Sequence, residues 1–343
     1  MLTFRRVVST ALLDAVAPEG PFAFLIEKAR QRLDSDVQLR HDTPNAISGA
    51  TYYFGLGAVL LLQEKDGAFR LKSDAAYKRR GAFNAEWGRW QPLLQLSADR
   101  AAIESHLDLV RAHEASRRQT KREGIVQAGL SKPGQARFGV VQREAEVWSK
   151  PGDLANDAKN AISGRLWRAI EDATRGDLWW PGVRDDGKQP GMGRAVDLLG
   201  ISRGRLAVIE VKPTVETAKI PWAAAQVTVY AELFAEWLHT NPSATDDLAA
   251  MSEQRHAIGL LDEPWCTPLS PAAQVVPVIA IGPDPTTAAQ KTQRAEVLRR
   301  LSEVANVLAT APSTAPWASR LAPLEVWLCT SGGIVHTYDA LAI

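Results

Sequence analysis

Asp197, Glu210 and Lys212 are the residues whose types and spacing can do chemistry. They lie in the stretch 196–212, VDLLGISRGRLAVIEVK, which reads as two apolar strands, 196–201 and 206–212, joined across Arg203-Gly204. A two-residue hairpin loop needs positive φ, which Gly204 supplies. Ser202 then faces Arg205, and stepping outward from that pair sets Asp197 opposite Glu210. Carboxylates opposite one another on neighbouring strands have Cβ atoms about 5 Å apart and repel. A cation between them removes the conflict, and Mg²⁺, held by one or two carboxylates with waters and phosphate oxygens, suits such a pair. Lys212 lies two residues beyond Glu210 and points to the same face. There its ammonium can hold a water or stabilise developing negative charge. Val211 points to the other face, but its backbone carbonyl remains available to a metal. None of the six histidines lies in this stretch.

The elements around these residues must bury them. Leu199, Ile201, Leu206 and Val208 make one face of the hairpin apolar, and Leu198, Ile209 and Val211 do the same for the other. A strand apolar on both faces is sandwiched between layers, so the charged residues belong at the end of a buried sheet, where pKa values can be tuned. The plainer alternative makes Asp197 a turn residue and Glu210 with Lys212 a surface pair on an edge strand. Ile209 and Val211 argue against it.

Helical spacing of Ile162, Leu166, Ala169, Ile170 and Ala173 predicts a helix over 156–175, stopped by Gly176. A Gly- and Pro-rich loop, 176–193, contains Trp179 and Trp180, which pack or stack on a base. Further helices are expected over 221–238 and 287–308, a strand over 275–281, and a closing hairpin of 324–329 with 334–338 across Ser331-Gly332-Gly333. This alternation predicts an α/β domain. The front of the chain reads as one or two helices in 1–32, a hairpin of 56–63 with 68–72 across Lys65-Asp66-Gly67, and a helix over 98–122. A stretch rich in Gly, Lys and Pro follows over 124–154. The division expected is an α+β N-terminal domain over 1–130, a linker over 131–155, and the second domain over 156–343.

Asp197, twelve residues, then Glu210-Val211-Lys212 resembles the PD-(D/E)XK nuclease superfamily. DLLGISRGRLAVIEVK is similar to the strands of its mismatch-specific and branched-DNA endonucleases, and Gln226 with Tyr230 matches the Gln-xxx-Tyr helix of RecB-like nucleases. Val196 stands where the family's name has proline. The resemblance spans about residues 156–240, continues into the later β-α-β pattern, and does not reach residues 1–130. It implies a restriction-endonuclease-like fold, a central mixed sheet flanked by helices. Asp197 and Glu210, with the carbonyl of Val211, would be ligands of Mg²⁺ or Mn²⁺, and Lys212 would be the catalytic lysine. Gln226 and Tyr230 would be auxiliary site or substrate contacts. A glutamate on the preceding helix is also common in the family, and Glu171 is the nearest match. It lies about 100° round the helix from Ile170, where a solvated position is an equal alternative. Gln226 shares a stripe with Tyr230, Leu233 and Trp237, and a buried Gln needs partners; Tyr230 on that stripe can equally be core.

The activity implied is metal-dependent hydrolysis of DNA, in restriction, repair or anti-phage defence. A non-catalytic module that keeps the fold to bind nucleic acid or protein is the alternative. A homodimer or a defence-system partner protein is compatible with either. The net charge of +1 over 343 residues hides 23 Lys/Arg against 17 Asp/Glu in residues 1–150, and 17 against 22 in residues 151–343. A basic front half suits a polyanion, and Lys78-Arg79-Arg80 is either a solvated run or a clamp on a phosphate backbone. No apolar run approaches the roughly 18 residues of a membrane span. Asp14 interrupts the run after Arg5 and Arg6 that faintly imitates a signal peptide. Two cysteines, Cys266 and Cys329, make no disulfide framework or Cys-rich zinc site. A cytoplasmic location is expected.

Overall fold

Two tight turns set the register of the two sheets. A computed structural model of the chain describes residues 4, 6–42, 45–115, 122–135, 137–146, 154–174, 195–214, 220–330 and 333–339. In chain order the elements are α1 (Thr10–Val16), α2 (Ala23–Gln31), β1 (Ser35–Asp42), β2 (Ile47–Phe54), β3 (Gly57–Lys65), β4 (Ala68–Lys72), α3 (Ala75–Arg80), β5 (Gln91–Pro92), α4 (Leu93–Ser97), α5 (Arg100–Ala115) and α6 (Arg122–Leu130). Then follow β6 (Gly139–Ala145), α7 (Leu154–Thr174), β7 (Val196–Ser202), β8 (Arg205–Pro213), α8 (Ile220–Thr240), α9 (Ala244–Ala257), β9 (Val275–Gly282), α10 (Ala288–Ala309), β10 (Glu325–Thr330) and β11 (Gly333–Asp339). The fold is mixed α/β, with two sheets and ten α-helices among the described residues. Among them no helix is long and apolar enough to cross a membrane.

The chain forms two compact units. One comprises Arg5–Gln142 with Asp246–Thr267, the other Met1–Phe4, Arg143–Thr245 and Pro268–Ile343. In the first, β1 to β5 pair in sequence order, each antiparallel to the next. The expected hairpin is β3–β4, turning at Asp66 (φ 52°) and Gly67 (φ 79°). One face of this sheet joins an apolar core with α1, α2 and α5, through Leu12, Phe24, Leu39, Leu60, Leu71 and Ile103. Ile258 and Leu260 complete that core, which is why residues from the later part of the chain group with this unit.

In the second unit the strand order is β11-β10-β9-β8-β7-β6. β8–β9 and β9–β10 are parallel, while β7–β8 and β10–β11 are antiparallel. Parallel neighbours need crossover connections, and α8 and α10 lie within them. Helices α7, α8 and α10 pack on one another, and α8 packs on β8 and β9. Trp167 stacks on Trp222 with ring centroids 4.8 Å apart, joining α7 to α8. Every residue of β9 is buried, as its unbroken apolar run requires.

The expected linker, 131–155, is not an extended connection. Its described part contains β6, and the boundary between the units falls inside that strand. The apolar run Phe138–Val141 is short and continues into Gln142, Arg143 and Glu144, so it does not read as a strand. Of the helix expected over 98–122, the described part is α5, Arg100–Ala115. Residues 116–121, the loop 176–193 with Trp179 and Trp180, and Ser331-Gly332 lie outside the described residues.

At the β7–β8 turn both Arg203 (φ 52°) and Gly204 (φ 73°) are left-handed. Such a turn matches the twist of the strands it joins, but an arginine there carries a steric cost that asparagine largely escapes. Arg203→Asn should therefore raise the unfolding free energy by about 0.5–1 kcal/mol in urea titrations. A neutral or destabilising result would show that Arg203 contributes more through its side chain than its backbone costs.

Candidate functional site

The β7–β8 register pairs Ser202 with Arg205 and Leu198 with Ile209. The paired register ends there, one step short of Asp197 and Glu210. Leu198, Leu199, Leu206, Val208, Ile209 and Val211 are all fully buried, so the hairpin is covered on both faces. Glu210 and Lys212 stand near the C-terminal end of β8, beside Ile279 and Ile281 of the parallel β9. In open α/β sheets the carboxyl ends of parallel strands are where ligand sites form.

Each charged group has a defined partner. The backbone N–H of Val211 donates to Asp197 Oδ2 at 2.7 Å. Lys212 Nζ donates to Glu210 Oε1, also at 2.7 Å. Glu210 is only 4 % exposed and the Lys212 side chain 13 %, so this is a largely desolvated ion pair. Burial pushes the Asp197 carboxyl above the usual carboxylate range, against the opposing pull of Lys212, the Val211 N–H and Arg143, and with Glu144 adding to the rise.

Helix α8 supplies the next layer. Burial, then the negative charge of Glu210, Asp197 and Glu146, raises the Tyr230 hydroxyl well above its ordinary pKa, while a hydrogen bond with Gln226 opposes the rise. Gln226 and Tyr230, one turn apart, therefore act together within electrostatic reach of the carboxylates. Lys159 of α7 lies over the Tyr230 ring, 5.7 Å from its centroid. On the opposite stripe of α8, Glu232 forms an ion pair with Arg165 of α7. Phe4 closes on Phe234 and Trp237 at centroid distances of 5.2 and 5.5 Å. These contacts fix the rotation of α8 and so the direction of Tyr230.

The structure thus brings together Asp197, Glu210, Val211, Lys212, Gln226 and Tyr230. Glu171 lies on α7, but its side chain is outside the described residues. Lys78, Arg79 and Arg80 form the end of α3, in the other unit. Sequence reasoning missed Arg143, Glu144, Glu146 and Lys159. Three of these come with β6, whose polar second half hides it. Glu144 has a left-handed backbone (φ 50°), which interrupts the strand's alternation; Arg143 and Glu144 both act on Asp197 through charge.

The donor set can be tested against a metal. Two carboxylates and a backbone carbonyl are all hard oxygen donors, the kind that suit Mg²⁺ or Mn²⁺. An extended residue's N–H and C=O leave the same side of the strand, so the Val211 carbonyl is on the side of Asp197. Among the described residues no group of three or more His, Cys, Asp and Glu side chains assembles. A softer, all-side-chain site therefore has no candidate there, whereas Mg²⁺ commonly takes only one or two carboxylates. No family model, curated protein or solved structure matches the chain.

The raised pKa of Asp197 has a consequence for stability. The folded state binds the Asp197 proton more tightly than the unfolded chain, whose carboxyl titrates near about 3.9. Ionising Asp197 therefore costs stability that is lost progressively from about pH 4 up through its raised native pKa. An asparagine side chain at this position cannot ionise and can still accept the Val211 N–H. In EDTA, Asp197→Asn should match the wild-type melting temperature near pH 3 and exceed it at pH 7–8. Equal or lower stability at pH 7–8 would mean that Asp197 is held by favourable contacts and carries no such cost.

Proposed function

We propose that the unit containing β7 and β8 is a metal-dependent phosphodiesterase of the PD-(D/E)XK type, hydrolysing nucleic acid, DNA before RNA. A restriction, repair or defence role follows from the same resemblance. The observation that carries the reading is the buried strand end, where the Lys212 ammonium pairs with Glu210 and the Val211 N–H donates to Asp197. Mixed strand directions, with α8 on the sheet and α7 and α10 packed against α8, are compatible with a restriction-endonuclease-like architecture.

Asp197, Glu210 and the Val211 carbonyl would hold Mg²⁺ or Mn²⁺, which supplies positive charge to polarise the scissile phosphate and acidify a water. The chain's own groups do the rest. The Val211 N–H fixes one Asp197 oxygen and leaves the other to turn toward the site. Lys212 holds its ammonium on Glu210 in the resting protein, and the same atom neutralises negative charge as it develops on a phosphate. Tyr230, its hydroxyl kept protonated, donates a hydrogen bond without adding charge, and Gln226 orients it. The walls of buried Leu, Ile and Val exclude water, which strengthens each of these interactions.

The test is hydrolysis of labelled single- and double-stranded DNA and RNA with Mg²⁺ or with EDTA. Metal-dependent cleavage is expected. Lys212→Ala should lower the rate by about 10²–10³-fold and also destabilise the resting protein, because it leaves Glu210 buried without its ammonium. Absence of cleavage on every substrate would favour a binding module, and full activity in Lys212→Ala would remove the lysine from the mechanism.

A further inference from the structure

The first unit carries a second concentration of charge, of opposite sign. On β4, Phe69 and Leu71 enter the core, so the alternating Arg70 and Lys72 share the other face. Register sets Arg70 beside Gln63 and Lys72 beside Leu61 on β3. Arg70 Nε donates to Gln63 Oε1 at 3.0 Å. Asp74 then caps α3, the short helix that carries Lys78, accepting from the Ala76 N–H at 2.7 Å. Lys72 has its pKa lowered by partial burial and then by the proximity of Arg70 and Lys78, with Asp42 opposing, so three cations stand within reach of one another. Arg79 is exposed beside Lys78. Both Lys78 and Arg80 lie over rings, Lys78 Nζ 5.0 Å from the Phe83 centroid and Arg80 5.9 Å from that of Tyr77.

An aromatic ring completes the surface. Trp90 precedes β5, which pairs with β4, and the Arg70 guanidinium carbon lies 4.1 Å from the Trp90 ring centroid. Trp90 is 37 % exposed, while Trp87, three residues earlier, is buried. Among the described residues no carboxylate forms an ion pair with Arg70, Lys72, Lys78 or Arg79. Clustered like charges repel and weaken a fold unless a polyanion meets them. A cationic groove with an exposed ring beside it is how proteins hold unpaired bases, phosphates on the charges and a base on the ring. In a duplex the base faces are already stacked and out of reach.

We propose that Arg70, Lys72, Lys78, Arg79 and Trp90 form a binding surface for single-stranded nucleic acid, with phosphates on the lysines and Arg79 and an unpaired base on the Trp90–Arg70 stack. The proposal is independent of hydrolysis. It is tested by anisotropy of a short labelled oligothymidylate and of a short duplex, with the full chain in EDTA, over a series of salt concentrations. The single strand should bind more tightly. Replacing Arg70, Lys72, Lys78 and Arg79 together by Gln should flatten the slope of log K against log salt by about 2–3, at roughly 0.7 per phosphate contact. Trp90→Ala should weaken oligothymidylate binding about tenfold with an unchanged slope and leave duplex binding nearly intact. Trp90→Phe, which keeps a ring, should retain most of the affinity and guards against a folding defect. Equal losses on both substrates, or a slope unchanged by removal of the four charges, would overturn the proposal. Cleavage with Mg²⁺ but no effect of these variants would leave the hydrolytic reading standing and this surface refuted; the reverse pattern would do the opposite.

Discussion

Two acidic side chains, Asp197 and Glu210, sit at the end of a hairpin buried on both faces, and most of the second unit can be read as the means of keeping them there. Lys212 neutralises Glu210 directly at 2.7 Å. Asp197 receives a single backbone N–H and remains difficult to ionise. A pair of aliphatic residues at these positions would pack at no electrostatic cost, since buried ion pairs are commonly no more stabilising than apolar residues of similar size. Under the proposed function, the arrangement is a site for added positive charge rather than a support for the fold.

Register is the device that maintains it. Strand side chains alternate, so a slip of one residue along β7 would send Asp197 to the other face and separate it from Glu210. The two-residue turn at Arg203 and Gly204 pins one end of the hairpin. The β8–β9 pairing, unbroken from Leu206 to Pro213, fixes β8 in the sheet. Helix α8 adds a second constraint from above. Its Glu232–Arg165 ion pair holds one side, so that Gln226 and Tyr230 reach the other, and the Trp222–Trp167 stack ties its first turns to α7. Chemistry and architecture thus share the same elements.

The hairpins were legible in the sequence because Asp66-Gly67 and Arg203-Gly204 interrupt apolar runs at a spacing only a tight turn satisfies. Asp197, Glu210 and Lys212 followed from that register, and Gln226 with Tyr230 from helical spacing. β1 and β2 were not read. Gln38 and Thr51 are buried polar residues on those strands, so their apolar–polar alternation is broken. Gln38 accepts from Arg255 at 3.0 Å, a partner 217 positions away that no local pattern announces. α9 was missed because its apolar residues, Leu248 to Met251, fall together instead of recurring at helical spacing. Arg143, Glu144, Glu146 and Lys159 reach the site through tertiary structure, which spacing along the chain does not encode.

The central claim is that Asp197 and Glu210 together take a divalent cation. Titration of the full chain with Mn²⁺, followed by electron paramagnetic resonance of the free ion, tests it without reference to any substrate. The account predicts one saturable site, competed by Mg²⁺ and weakened at least about tenfold in Glu210→Gln, as the loss of a charged ligand requires. No saturable binding, or binding unchanged in Glu210→Gln, would contradict it.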